Sequence, residues 1–156
     1  MARCLQFAIH MNAETTRLLL LAEHDRLRER VTTCVRLAKL CQLDEGAGRD
    51  LDAALAVLRE EFAAHNQTET AVIRSLLGGP AAWGSLLIDR MLEEHVGEHA
   101  AFWELLSGTR SEVAARIDDL ADELDAHMAA EERTFLAPVT LRDDVIRART
   151  REVPIE

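Results

Sequence analysis

Residues 51–77 read "LDAALAVLREEFAAHNQTETAVIRSLL". Leu51, Leu55, Leu58, Phe62, His65, Glu69, Val72 and Leu76 fall at spacings that alternate between four and three. That rhythm is the narrow inner seam of a helix packed against others at a shallow angle. Its apolar half argues for a bundle. Its His65 and Glu69, set where the seam should be greasy, raise the question of function.

The rhythm recurs elsewhere. Leu20, His24, Leu27, Val31, Cys34, Ala38 and Cys41 repeat it, as do Ile88, Leu92, His95, His99, Phe102 and Leu106. Val113, Ile117, Leu120, Leu124, His127, Glu131 and Thr134 form the last such seam. Glycine and proline punctuate the chain at "DEGAGRD" (44–50), "LGGPAAWG" (77–84) and "SGTR" (107–110). Short connections make neighbouring helices antiparallel. The expected fold is therefore all-α, an up-down-up-down antiparallel four-helix bundle. It forms one domain over 1–156, with its core at about 12–138, a short N-terminal arm, and a C-terminal extension (139–156) able to add a short fifth helix. Pro80 suits a first helical position, and Thr109 with Glu112 matches a capping box that opens helix four. No segment alternates with period two over a useful length, so strands have no support.

Bulk properties narrow the function. A hydrophobic share of 48% beside 29% charged residues belongs to a soluble globular chain. The net charge of -10 would repel a phosphate backbone, and no dense basic block offsets it, so no nucleic-acid partner is expected. No run of 18 apolar residues exists, which speaks against a membrane span. The opening "MARCLQFAIHMNAE" lacks a secretory pattern, and Cys4, Cys34 and Cys41 lack CxxC spacing. A cytoplasmic protein is the expectation. Cys34 and Cys41 read as small core residues, Trp83 and Trp103 as packing residues, Glu93 and Glu94 as outer-face charges, and Cys4 and His10 as parts of the N-terminal arm.

Five of the six histidines (His24, His65, His95, His99, His127) and two glutamates (Glu69, Glu131) occupy interior seam positions. A buried carboxylate or imidazole costs several kcal/mol unless it is paired, hydrogen-bonded or bound to a metal. One such histidine is ordinarily a core residue bonded to a neighbour; seven such residues on four helices require a shared explanation. Residues i and i+4 lie about 40° apart around a helix and one turn along, so both can reach one ion or adjacent ions. His65–Glu69, His95–His99 and His127–Glu131 are such pairs, and antiparallel packing brings them level with His24. Seven donors exceed the four that tetrahedral zinc takes, and mixed nitrogen and oxygen donors suit iron or manganese, which implies two ions. The ferritin-like arrangement needs Glu-x-x-His, and no histidine here has Glu three residues before it; the absence of tyrosine excludes a radical tyrosine.

The order H…HxxxE…HxxxH…HxxxE resembles the hemerythrin and HHE cation-binding domains over roughly residues 12–138. The resemblance implies a four-helix bundle with a non-haem di-iron centre, oxo- and carboxylate-bridged. It implies one iron held by His95, His99 and His127, a second held by His24 and His65, and bridges from Glu69 and Glu131. The second iron then keeps an open position for dioxygen, peroxide or nitric oxide. Proper hemerythrins carry Asp five residues after the last histidine, whereas "HMAAEERTF" offers Glu131 at four and Glu132 at five. Seam register and i+4 spacing favour Glu131, with Glu132 as the alternative. The implied activities are catalase-like peroxide decomposition, reversible binding of dioxygen or nitric oxide, or iron and redox sensing without turnover. The seam shows no obvious acid to deliver protons, which leans mildly toward gas binding, but small stand-alone HHE proteins resemble peroxide and stress-response proteins at least as much, and peroxide decomposition is the expected activity.

Overall fold

In the computed structural model the described residues are 12–41, 47–77 and 82–138, with side chains described throughout except within 73–92 and at Glu94. The N-terminal arm, Cys4, His10, Pro80 and the C-terminal extension lie outside them. Four helices follow in order: α1 (Ala13–Cys41), α2 (Ala47–Leu77), α3 (Ala82–Leu106) and α4 (Arg110–Arg133). Each packs on its neighbours in sequence, and α4 closes the ring against α1. This is the up-down-up-down bundle expected from the seams, and no strand occurs among the described residues. No described helix is long and apolar enough to cross a membrane.

Local chemistry sets the helix ends. Asn12 opens α1: its Oδ1 accepts from the Thr15 amide at 2.8 Å while its carbonyl accepts from Thr16 at 3.0 Å. Both halves of the capping box hold at α4, where Thr109 Oγ1 accepts from the Glu112 amide and Glu112 Oε2 accepts from the Thr109 amide at 2.8 Å. The end of α3 is satisfied from α2: Arg59 donates to the carbonyls of Leu106 at 2.6 Å and Gly108 at 3.4 Å, placing a cation where the helix dipole is negative.

The apolar core fills one half of the bundle. Leu27, Val31, Cys34 and Ala38 of α1 meet Leu51, Leu55, Leu58 and Phe62 of α2, Phe102 and Leu106 of α3, and Val113, Ile117, Leu120, Leu124 and Met128 of α4. In the other half every seam turns polar at one level, and beyond that level Leu20, Val72, Phe135 and Leu136 are buried. Cys34 is buried and Cys41 partly so, both packed in or on the core, and Glu93 is exposed. Trp103 departs from expectation: it lies one residue off the buried seam and is 42% exposed rather than packed.

α4 also departs from the strict heptad. Its buried stripe runs Val113, Ile117, Leu120, Leu124, Met128, Glu131, Phe135, while His127 sits at the edge and Thr134 is exposed. The reason is geometric. Over three heptads an α-helix of 3.6 residues per turn drifts by about 60° against a seven-residue repeat, so the inward face passes from 127 and 134 to 128 and 135. The chain then turns after Arg133, the Leu136 amide bonding back to the Glu131 carbonyl at 3.0 Å, and Phe135 closes edge-on over His95 with ring centroids 6.5 Å apart.

Two substitutions test this packing. Leu120→Ala, in the middle of the core, is expected to cost about 2–5 kcal/mol in urea denaturation. At Gly97, where an added Cβ would meet no atom within 4 Å, Gly97→Ala should stabilise by about 0.5–1 kcal/mol through helix propensity. A destabilising Gly97→Ala would contradict the outward orientation of that face of α3.

Candidate metal centre

The polar level gathers all seven seam residues. His24, His65, Glu69, His95, His99 and Glu131 are buried, and His127 is nearly so. His95, His99, His127 and Glu131 each offer one donor atom, all within 4.8 Å of one another. His24, His65, Glu69 and Glu131 do the same. Glu131 is common to both groups, so the two lie side by side across its carboxylate.

Ring orientation is set from outside. The Nδ1 of His24 donates to Glu132 Oε1 at 2.9 Å, that of His65 to Glu23 Oε2 at 3.1 Å, and that of His127 meets Glu98 Oε2 at 2.7 Å. A carboxylate only accepts, so each ring carries its Nδ1 proton outward and aims Nε2 inward. Those inner nitrogens converge: His24 Nε2 lies 3.3 Å from Glu131 Oε2, His65 Nε2 3.4 Å from Glu69 Oε2, and His127 Nε2 2.8 Å from Glu131 Oε1. His95 spans both acids, with Nε2 at 2.6 Å from Glu69 and Nδ1 at 3.0 Å from Glu131. The Nε2 atoms of His99 and His127 face each other at 3.0 Å.

Glu131 and Glu132 are thereby separated. Glu131 points into the cluster, whereas Glu132 lies behind His24, where Arg28 Nη1 also holds it at 2.8 Å. Glu23, Glu98 and Glu132, with Arg28 behind the last, stand just outside the seam, whose own residues offer no obvious acid to deliver protons. The first three each flank a seam residue in sequence (Glu23–His24, Glu98–His99, Glu131–Glu132) and reach across to a histidine on the neighbouring helix. Adjacency to a seam residue alone does not single them out, since Asp25 beside His24 is exposed and pairs with Arg28 instead.

Two buried carboxylates so close need positive charge. Burial opposes charging His65 and His95, but the carboxylates around them prevail: Glu23 and Glu69 raise His65 to about 9, and Glu131 and Glu69 raise His95 to about 9. His127 is raised against burial by Glu131 and Glu98, while Glu131 and Glu69 are lowered against burial by their imidazole partners. Burial and the neighbouring His95 charge push His99 down to about 3, so it stays neutral and accepts at Nε2. Protons on imidazole thus occupy the role that cations would fill.

They fill it incompletely. His24 Nε2, Glu69 Oε1 and both oxygens of Glu131 are buried without an aligned hydrogen bond, although imidazoles lie close. Such orphaned donors and acceptors, converging from α1, α2 and α4, are what a bound cation satisfies. Among the described residues no thiol takes part; Cys34 lies in the apolar core, its thiol pushed up to about 11 by burial.

The family described as the hemerythrin HHE cation-binding domain matches residues 15–139. The chain belongs to that family. No curated protein and no solved structure matches it. In this chain the family's cation-binding character meets two groups of His and Glu donors, each able to hold a metal ion.

The metal-free protein should show a two-sided pH profile in urea denaturation. An unfolded histidine titrates near 6.5. His65 and His95 hold their protons to about 9, so their contribution is full below 6.5 and is lost as pH rises through 9. His99 refuses its proton until about 3, so stability also falls as pH drops from 6.5, joined below 4.5 by Glu131 and Glu69. A profile flat between pH 6.5 and 9 would contradict the imidazolium–carboxylate pairing. Cation loading near pH 7.5 should release at least one proton each from His65 and His95, seen as a dependence of calorimetric heat on buffer ionisation enthalpy.

Proposed function

We propose that this protein holds two iron ions and decomposes peroxide. The supporting observation is the unequal division of donors across Glu131: three imidazoles in one group, two in the other. His95, His99 and His127 would hold one iron, His24 and His65 the other, with Glu69 and Glu131 shared between them. The shorter imidazole set leaves room for an exogenous ligand at the second ion. Seven nitrogen and oxygen donors without thiolate favour iron or manganese over zinc. Two irons would supply the binding and reduction of a dioxygen-derived ligand.

The residues around the cluster favour peroxide turnover. Converting two H₂O₂ to two H₂O and O₂ needs protons moved at the site, and Glu23, Glu98 and Glu132 touch the outer nitrogens of three imidazoles, with Glu98 59% exposed to water. A second reading, reversible binding of dioxygen or nitric oxide, draws on the apolar walls, since Phe62 stands edge-on to His99 at 5.5 Å and Phe135 covers His95.

Iron analysis with an optical spectrum, followed by peroxide in an oxygen-electrode cell, separates the readings. Two irons per chain, ferric charge-transfer bands in the near ultraviolet and visible, and sustained oxygen release are expected. A reversible oxygen adduct without release would transfer the function to binding, and neither result would point to sensing. One zinc per chain without such bands would sink the di-iron reading. His99→Ala should lose or loosen one iron, whereas Asp125→Asn, on the exposed rim, should keep both.

A further inference from the structure

The outer carboxylates are not equivalent. Glu132 is 29% exposed, and its Oε1 takes two donors at once, His24 Nδ1 at 2.9 Å and Arg28 Nη1 at 2.8 Å. Arg28 is itself tied across the α1–α4 groove, its Nε donating to Asp125 Oδ1 at 2.6 Å. Glu23, behind His65, is 14% exposed and faces Arg26 at 3.8 Å. Glu98, behind His127, is 59% exposed. The two buttressed carboxylates therefore serve the two imidazoles of the donor-poor group, and the exposed one serves the donor-rich group.

Removing one proton acceptor behind a ligating imidazole frees the ring to rotate and lets it adopt the other tautomer, which costs metal affinity. The cost falls hardest where few donors remain. Three imidazoles hold an ion against the loosening of one, while two do not. A carboxylate pinned by a guanidinium is also better fixed than one free in water: Arg28 gives Glu132 one N–H bond, from Nη1, and is itself held by its Nε bond to Asp125.

Resting on the two-ion reading, we infer that Glu132, anchored by Arg28, is a positioning residue that sets the affinity of the second ion alone, by holding His24 Nε2 toward the cluster. Glu132 is accordingly not a ligand. The same logic gives Glu23 a like role at His65 and leaves Glu98 with the smallest effect of the three.

Anaerobic titration of ferrous iron against a competing chelator, on the full chain, tests this. Wild type should take up two ions in separable steps. Glu132→Gln should weaken one step by about 10–100-fold and leave the other unchanged, with Arg28→Gln weakening the same step by less. Glu98→Gln should shift neither step as far. Because Arg28 also ties α1 to α4, Asp125→Asn serves as control: it removes the charge from that tie without touching His24, and should keep both steps. Equal weakening of both steps in Glu132→Gln, no weakening, or the same loss in Asp125→Asn would overturn the positioning role while two-ion binding stands. Fewer than two ions in wild type would overturn the two-ion reading itself, and this inference with it.

Discussion

Two carboxylates, Glu69 and Glu131, are held close together inside a helical bundle, and most of the surrounding chemistry answers to their charge. Like charges at that separation and burial repel and are poorly solvated, so the fold can keep both ionised only by surrounding them with positive partners. In the protein alone the partners are protonated imidazoles, with His95 bridging both acids and His65 at one of them. The arrangement leaves buried oxygens of both acids without aligned bonds, a shortfall that two cations would remove. Metal binding and folding are thus coupled through the same residues.

The bundle manages this by dividing its length. One half is an apolar core to which all four helices contribute. The other half carries the polar level, covered beyond it by Leu20, Val72, Phe135 and Leu136. The cost of burying seven polar side chains is borne where the helices are already fixed by their greasy half. Exposed pairs on the rim, such as Lys39–Asp118 and Arg110–Asp52, add little to this.

Much of this was legible in the sequence, for identifiable reasons. Alternating spacings of four and three reported the inward face of α1 and α2 residue by residue, from Leu20 to Ala38 and from Leu51 to Val72, and the same spacing brought the seven polar residues to one level. The rhythm misled where its own assumption lapsed: a strict heptad holds Thr134 inward, whereas the drift of a real helix brings Met128 and Phe135 there instead. It was silent on residues whose role depends on reaching another helix. Glu23, Glu98 and Glu132 sit beside the seam, and nothing in a periodic reading says that they cross to His65, His127 and His24. The choice between Glu131 and Glu132 was open for the same reason, since one residue of register decides which carboxylate enters the cluster and which stands behind a ring.

On the proposed reading, this polar level is a site for two cations sharing Glu131. Crystals of the iron-loaded protein, measured at the iron absorption edge for anomalous scattering, test it most directly. Two peaks are expected inside the bundle, one among His95, His99 and His127 and one between His24 and His65, with the Glu131 carboxylate reaching both. A single peak, or iron bound outside this level while the His95 ring keeps both of its carboxylate bonds, would contradict it.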